Sequence, residues 1–322
     1  MFSRYWRPAL FVLFAAGFLI SAPLVVLFTA GYRYHFESGK IVQTGVLNVN
    51  SIPKGATVFL DEVMQKERTP AVISNVIPGT HMVRVKKDGY SSWKKSLEIK
   101  SKQSTFANQI VLFLQLAPEI LQPTELPKLP SVKPTWRQYP PEFHLQNMQD
   151  RTVLSRVDQN TLASILAYLP LSTYHLEPSP DPYLLLRDET RKRIVLIDTQ
   201  DQSQPIVLNT DAEQWSWSPS GDALLFSDSF DIEVYIPSSH VRETITRLSH
   251  PIFGLTWYPL GHMTVFGYEG NIYAQELDRQ GEPNKTTLLE RLDVTQFWFE
   301  EEGTWLVGLT ADGNGFRKRL QR

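Results

Sequence analysis

A short segment with the same spacing between an apolar residue and a turn occurs four times in the C-terminal half of this chain. In each copy a large apolar residue stands four positions before a turn, and the copies are Leu176–Asp181, Trp217–Asp222, Trp257–His262 and Phe299–Thr304. The four apolar anchors are 41, 40 and 42 residues apart. A period of about 40–45 residues built from short strands is typical of β-propeller blades. The repeat therefore favours a binding scaffold over a catalytic domain.

The pattern inside one unit places four strands, as expected for a propeller blade. They are Gln214–Trp217, Ala223–Ser227, Glu233–Ile236 and Thr244–Leu248. The last unit contains only three such segments. We expect a strand near Phe143–Met148 or Val153–Val157 to complete it, with a hairpin around Asp158–Asn160 adding part of a further blade, so that the propeller has four to five blades. The alternative is an open, incomplete propeller whose edges are covered by a second copy or by a partner.

The tryptophans of the repeat are predicted to fill the cores between blades. Trp217, Trp257 and Trp305 are assigned to this role, and Trp215 shares the face of Trp217 because strand side chains alternate. Trp298 adjoins the anchor Phe299 and is expected on the opposite face, toward solvent or the neighbouring blade.

The N-terminal part carries an uncharged apolar run. Pro8–Ala30 comprises 23 residues without a charge, which is long enough for a helix to cross a hydrocarbon layer of about 30 Å. Arg4 and Arg7 precede the run, so we expect the N-terminus in the cytoplasm. A cleaved signal peptide with its site near Ile20–Ala22 is the alternative, although the run exceeds the roughly 7–15 apolar residues of such peptides.

Residues 45–114 alternate between apolar and polar positions, which predicts short half-buried strands. Proline and glycine residues punctuate these segments. A small antiparallel β-sandwich fits this length, with Val46–Ser51 as its first strand and Ile110–Leu114 as its last.

Motifs in this stretch resemble the PEGA domain family. Pro53-Lys54-Gly55-Ala56 stands for the naming motif, and it is followed by Val58–Asp61 and later by Pro78-Gly79 and Trp93. Glu62 occupies a position where the family often has glycine, so we expect a longer hairpin spanning Asp61–Lys66. The resemblance implies an extracytoplasmic β-sandwich of bacterial or archaeal envelope proteins, used for surface or cell-wall attachment and without catalysis.

A second resemblance lies in the repeated half. Trp217-Ser-Pro-Ser-Gly-Asp222, followed by Ala223–Phe226, is similar to the WD-repeat-like segments of the Tol-system propellers. The similarity implies a β-propeller, and it weakens in the units where Glu177 and Glu301 replace small turn residues.

These features divide the chain into four parts. Residues 1–40 form a cytoplasmic stub, a transmembrane anchor and a juxtamembrane segment; 41–117 form the PEGA-like sandwich; 118–141 form a linker; and 142–322 form the propeller. The linker contains seven prolines among its 24 residues, a composition that favours an extended spacer. The fold class is therefore all-β apart from one N-terminal transmembrane helix, with a small sandwich and a small or incomplete propeller.

Charge and cysteine content limit the functions. The sandwich segment carries a net charge of +5 and the propeller segment −11, in a chain whose total is −2. An acidic domain outside the cytoplasm is a poor partner for nucleic acid. The absence of cysteine excludes disulfides, thiolate nucleophiles and cysteine-bound metals.

Ligand-binding candidates lie in the sandwich. Lys86, Lys87, Trp93, Lys94 and Lys95 are candidates for contact with an anionic wall polymer or with lipid headgroups. The alternative interpretation is an ordinary solvated face, with Trp93 in the core. Asp228, Asp231 and Glu233 form at most a weak calcium site and suit a turn better.

The sequence contains none of the following catalytic motifs. The seven histidines show no metalloprotease spacing, and the chain contains neither a Gly-x-Ser-x-Gly elbow nor a glycine-rich phosphate loop before a helix. We therefore predict no enzyme activity and no catalytic, cofactor or metal site.

The sequence predicts a single-pass protein of a prokaryotic cytoplasmic membrane, with its C-terminal domains outside the cytoplasm. Its expected function is non-catalytic presentation of the two modules for binding or scaffolding, with the membrane, a cell-wall or surface polymer, or an envelope protein as partner. The alternatives are an extracytoplasmic sensor that acts through a membrane partner, and a propeller hydrolase. Met1–Arg7 is too short to signal unaided, which argues against the sensor.

Overall fold

The computed structural model describes residues 6–35, 39–122, 142–157, 163–260, 262–277 and 281–322. They divide into two compact units. Met1–Gln115 together with Asp278–Asn284 form the first, and Leu116–Leu277 with Lys285–Arg322 form the second.

The first unit begins with a single long helix, α1 (Trp6–Thr29). Its segment Pro8–Thr29 has a mean hydropathy of 2.6, and none of it is buried within the protein. Length and composition are therefore sufficient to cross a membrane. After α1 the chain forms a two-stranded antiparallel hairpin of β1 (Tyr32–His35) and β2 (Lys40–Gln43).

A seven-stranded sandwich follows in this unit. Its strands are β3 (Gly45–Ile52), β4 (Thr57–Leu60), β5 (Val63–Arg68), β6 (Ala71–Val76), β7 (Gly79–Lys86), β8 (Trp93–Ile99) and β9 (Ser104–Val111). One sheet has the order β6-β3-β9 and the other β5-β4-β7-β8. Alternate side chains such as Leu47, Val83 and Leu97 are buried in a common hydrophobic core, as the period-two pattern predicted.

Two expectations for the sandwich are wrong. The fold is mixed rather than antiparallel, because β9 lies parallel to β3. The last strand is β9 rather than Ile110–Leu114. Residues 110–114 are buried, which explains why they are apolar. Their apolar character therefore does not show where the strand ends.

The β4–β5 hairpin is also shorter than expected. Leu60 lies opposite Val63, so the turn contains only Asp61 and Glu62. Both have positive φ, 49° and 63°, the backbone of a two-residue type I′ turn. Glu62 adopts this conformation although it is costly for any residue other than glycine, and its carboxylate pairs with Arg84 on β7.

Among its described residues, the second unit contains five small sheets. Its strands are β10 (Glu119–Leu121), β11 (Phe143–Asn147), β12 (Arg151–Val157), β13 (Ala163–Pro170), β14 (Tyr174–Glu177), β15 (Tyr183–Asp188), β16 (Arg193–Asp198), β17 (Ile206–Asp211), β18 (Gln214–Trp217), β19 (Leu224–Ser227), β20 (Asp231–Ile236), β21 (Val241–Arg247), β22 (Ile252–Trp257), β23 (Met263–Tyr268), β24 (Asn271–Glu276), β25 (Lys285–Leu289), β26 (Val294–Glu300), β27 (Trp305–Thr310) and β28 (Gly315–Arg319). We number the sheets as blades 1 to 5: β11–β13, β14–β17, β18–β21, β22–β25, and β26–β28 with β10.

The blades are antiparallel and arranged as in a propeller. The first strand β22 of blade 4 contacts the first strands β18 and β26 of its two neighbours. Hydrophobic clusters join blade 1 to blade 2, blade 2 to blade 3, and blade 3 to blade 4. Repeated short sheets packed face to face in this way form a β-propeller, and its described residues make five blades, within the predicted range.

The last blade is completed by a different strand from the one expected. Glu119–Leu121 pairs with β28 as the fourth strand of blade 5. The expected segments around Phe143–Met148 and Val153–Val157 instead form β11 and β12 of blade 1. The proline content of 118–141 predicts a linker over the whole stretch, yet Glu119–Leu121 belongs to a sheet. Residues 123–141 and the expected turn at 158–160 lie outside the described residues.

Most tryptophans occupy the predicted positions. Trp217 and Trp257 are buried in clusters between blades, and Trp215 packs in the same cluster as Trp217. Trp305 differs, because it is half-exposed. Its Nε1 donates to Glu301 Oε2 at 3.1 Å, and the Arg317 guanidinium lies 3.8 Å from the ring centre. Trp298 is buried and therefore does not face solvent.

Candidate ligand-binding site

A cleft of about 580 Å³ opens on blades 2 and 3. Charged side chains and one tryptophan line most of it, and the lining residues are Arg187, Asp188, Glu189, Lys192, Ala212, Glu213 and Trp215.

The topology explains why these residues meet. Adjacent strands run antiparallel, so the β15–β16 turn and the β17–β18 connection emerge at the same edge of the blades, which we call the start edge because β14 and β18 begin there. Lys192 adopts a φ of +51° in the β15–β16 turn. Its carbonyl accepts a hydrogen bond from the Ala212 amide at 3.1 Å, which fastens the two loops together.

Asp188 holds the floor of the cleft in place. Its side chain is 3% exposed, and Oδ1 accepts hydrogen bonds from Ser172 Oγ at 2.5 Å and from the amides of Thr190 and Arg191 at 3.0 Å. Arg191 Nη1 donates to Oδ2 at 3.1 Å. Burial by itself would raise the pKa of Asp188, but the bonds from Ser172 and Arg191 outweigh it, and the pKa lies below its usual value. Asp188 is thus a structural anion and not a proton donor.

A network of alternating charges borders the cleft along β14 and β15. Arg187 Nε donates to Glu177 Oε1 at 2.9 Å, and its Nη2 lies 3.7 Å from Glu189 Oε1. His175 Nε2 lies 3.0 Å from the same Glu189 oxygen. These side chains are partly exposed, so each pair contributes little stability. Their fixed positions give the wall both donors and acceptors.

The other wall combines an aromatic ring with a cation and a carboxylate. Trp215 is half-exposed while it packs on the core between blades 2 and 3. Glu213 accepts a hydrogen bond from Ser229 Oγ at 3.0 Å, and Lys192 is exposed. An aromatic face beside a few placed polar groups is the usual composition of a site for a polar organic ligand.

The sequence-predicted candidates in the sandwich do not form one surface. Strand β8 alternates, so Trp93 and Lys95 are buried, at 5% and 3% exposure, whereas Lys94 faces outward. Lys86 is exposed at the end of β7. Lys87 Nζ donates to the Lys54 carbonyl. Trp93 belongs to the hydrophobic core, the role that the alternative interpretation gave it.

The acids considered for calcium are engaged elsewhere. Asp228 Oδ1 accepts the amides of Phe230 and Asp231 at 2.7 Å, which is an Asx turn. Asp231 pairs with Arg247, and Glu233 pairs with Arg242. Within the described part of the chain, no cluster of three or more His, Asp or Glu suits a metal ion.

Sequence reasoning missed the cleft. It assigned Trp215 to a core face, which is half correct, and it gave no role to Lys192 or Glu213. The only available signal was the position of Trp215 directly after the connection between two blades, since such connections lie at one edge of a propeller.

Comparison with known proteins gives one family match. Residues 44–112 match the PEGA domain, and no curated protein matches the chain. Solved structures that resemble it include TolB from Acinetobacter baumannii, with 18% identity, a TM-score of 0.34, and coverage of 52% of this chain and 45% of that one.

Two further likenesses are of similar strength. A Bacteroides fragilis protein assigned as a 6-phosphogluconolactonase has 10% identity and a TM-score of 0.34, covering 80% of this chain and 88% of its own. A eukaryotic initiation factor has 16% identity and a TM-score of 0.38, covering 60% and 54%. The arrangement of the five blades establishes the propeller without these likenesses. Residues 44–112 of this chain are a PEGA domain, and a β-propeller follows it.

Proposed function

We propose that this chain is a non-catalytic, membrane-anchored envelope protein that binds a saccharide-containing surface or wall polymer through the start edge of its propeller. The observation that carries the proposal is the apolar surface of α1. Phe11, Phe14 and Leu19 are each about 70% or more exposed on a helix without a polar face. Such a continuous apolar surface is not stable in water. Insertion into a bilayer would remove it from water.

The composition of the cleft supports a saccharide-containing polymer as the ligand. Sugars stack on aromatic rings and exchange hydrogen bonds with fixed carboxylate and guanidinium groups, and Trp215, Glu213 and Arg187 offer these. The PEGA domain of the same chain is consistent with a location at a cell surface.

The absence of catalysis is part of the proposal. A glycosidase needs one carboxylic acid whose pKa is raised so that it donates a proton. The pKa of Asp188, the buried carboxylate of the cleft, is lowered instead. A sensor that acts through a membrane partner is the alternative function, and it would use the same cleft.

Retention of the full-length protein on purified wall polymer tests the proposal. The protein is placed in lipid nanodiscs and sedimented with the insoluble polymer, and Trp215→Ala is compared with Trp305→Ala. Both changes remove a half-exposed tryptophan, but Trp305 belongs to blade 5. We expect Trp215→Ala to lose retention and Trp305→Ala to keep it. Equal retention of both variants, or no retention of the unaltered protein, would contradict polymer binding at the cleft.

A further inference from the structure

The hairpin that follows α1 has two chemically different faces. Tyr34 lies directly opposite Ile41, and Tyr32 lies opposite Gln43, so these four side chains share one face. Tyr34 is 53% exposed and Ile41 is 61% exposed. Lys40 and Arg33 belong to the other face, because neighbouring side chains of a strand alternate. One side of the hairpin therefore carries two tyrosines and Ile41 beside Gln43, and the other carries the cations Arg33 and Lys40 beside Val42.

The hairpin is fastened to the end of the helix. The carbonyls of Ala30 and Gly31, the two residues directly after α1, accept hydrogen bonds from residues at the end of the hairpin. Gln43 Nε2 donates to Ala30 O at 2.9 Å, while the amide and the hydroxyl of Thr44 both donate to Gly31 O at 2.9 Å. Gln43 and Thr44 thus hold the connection between α1 and β1, and the hairpin does not hang from a free linker.

Arg33 links the helix, the hairpin and the sandwich. Its Nη1 donates to the Phe28 carbonyl at 2.8 Å, and its guanidinium carbon lies 3.7 Å from the centre of the Phe28 ring. Its Nη2 donates to Asn75 Oδ1, on β6, at 2.8 Å. One side chain therefore fixes the end of α1 to the PEGA domain.

The length of the connection determines the depth of the hairpin. Only Ala30 and Gly31 separate α1 from β1, so Tyr32 lies within roughly 10 Å of the end of the helix. The headgroup layer on each side of the hydrocarbon core is about 5–8 Å thick. A hairpin so close to the end of a spanning helix meets this layer, where tyrosine is enriched and where lysine and arginine reach phosphate groups.

We propose that the β1–β2 hairpin lies in the phospholipid headgroup layer, with Tyr34 and Ile41 at the acyl boundary, and that Arg33 thereby holds the PEGA domain against the membrane. This inference rests on the proposed anchoring by α1. The hairpin occupies a lipid surface, so no protein partner is needed to cover its apolar face.

Depth-dependent fluorescence quenching tests the inference. The chain has no cysteine, so single cysteines place a small fluorophore at one position each. Full-length Ile41→Cys, Val63→Cys and Leu19→Cys are labelled and placed in nanodiscs of phosphatidylethanolamine and phosphatidylglycerol. Nitroxides are carried either near the headgroup or deep in the acyl chain. Val63 is the matched control, since it is 64% exposed on β5 of the same unit.

The inference predicts that the label at position 41 loses most of its fluorescence to the shallow nitroxide, whereas the label at position 63 keeps it. The label at position 19 is then quenched by the deep nitroxide. If positions 41 and 63 are quenched alike while position 19 is quenched deeply, the hairpin inference is wrong and the anchor stands. If position 19 is not quenched by either lipid, both the anchor and the hairpin inference are wrong.

Discussion

Ile120 lies directly opposite Phe316 in blade 5, although 196 residues separate them along the chain. Ile120 belongs to β10, which follows the PEGA domain, and Phe316 is fully buried in β28 near the C-terminus. The pairing joins the first and last strands of the propeller unit. A strand from one end of the unit thus covers an edge that would otherwise be open to other chains.

A disulfide across this closure should form and stabilise the propeller. Glu119 lies opposite Arg317, and directly opposite residues have Cβ atoms about 4.5–5.5 Å apart, close to the separation that a disulfide needs. We expect Glu119→Cys/Arg317→Cys to crosslink on oxidation and to raise the free energy of unfolding by about 2–4 kcal/mol. Gel mobility and urea unfolding, with and without reductant, measure this.

The matched control moves one cysteine along β28. Arg319 lies opposite Trp305, two residues beyond Arg317, so it is about 7 Å further along the strand. Glu119→Cys/Arg319→Cys should stay reduced. If both pairs crosslink to the same extent, β10 is not held in this register.

Two tryptophans at equivalent repeat positions should respond differently to phenylalanine. Trp257 Nε1 donates to Ser216 O at 2.9 Å and so joins blade 4 to blade 3. Trp217 Nε1 is buried without a partner among the described residues. Both changes remove similar volume, but only Trp257→Phe removes a hydrogen bond between blades. We expect Trp257→Phe to cost about 0.5–1.5 kcal/mol more in the free energy of unfolding than Trp217→Phe. Equal losses in chemical denaturation would refute this distinction.

Asp188→Asn should destabilise the propeller in a pH-dependent way. Because the pKa of Asp188 is lowered in the folded protein, its stabilisation is complete above the unfolded value of about 3.9 and disappears as the pH falls through the folded value. We expect the substitution to cost about 1–3 kcal/mol at pH 7 and progressively less below about pH 4. Urea unfolding across this range measures the difference.

Asp211→Asn is the control for this pH dependence. Asp211 is 66% exposed and pairs with Arg193 at 2.6 Å, and such exposed pairs contribute between about 0 and 1 kcal/mol. Its loss should be small at every pH. A penalty for Asp188→Asn that stays constant as the pH falls would show that the carboxylate charge is not what matters.

Glu62→Gly should stabilise the PEGA domain. Glu62 holds a φ of 63° in a two-residue turn, which costs a non-glycine residue roughly 1–2 kcal/mol. Its exposed pairs with Arg84 and Lys94 offset little of that cost. We expect the free energy of unfolding to rise by about 1 kcal/mol, as measured by thermal or urea unfolding.

The control is Glu62→Ala, which keeps the backbone strain and loses the ion pairs, so it should be slightly less stable than the unaltered protein. A glycine variant no more stable than the alanine variant would contradict the account.

The periodicity of apolar residues predicted those features of the fold that depend on the local sequence. The spacing of Trp217 and Trp257 gave the blades, and the alternation along β8 gave the PEGA core with Trp93 inside. The apolar run gave α1. These properties follow from which side chains must be buried, and a single segment contains that information.

Pairings between distant segments were not predictable in the same way. The second partner of β28, beside β27, is β10, whose three residues carry no pattern of their own among the surrounding prolines. The parallel placement of β9 beside β3 is likewise set by the whole sandwich. The cleft depends on two loops that meet only when blades 2 and 3 are assembled, so the adjacency of Lys192 and Ala212 was not visible in the sequence.

Accessibility of a single cysteine in cells tests the central claim, that α1 anchors the propeller outside the cytoplasmic membrane. Lys192→Cys is the only cysteine of its variant and lies exposed at the start edge. Intact spheroplasts are treated with a membrane-impermeant maleimide, and the membranes are then washed with alkaline carbonate. The account predicts that the labelled protein stays in the washed membranes. Labelling that appears only after lysis, or release of the protein into the wash, would contradict it.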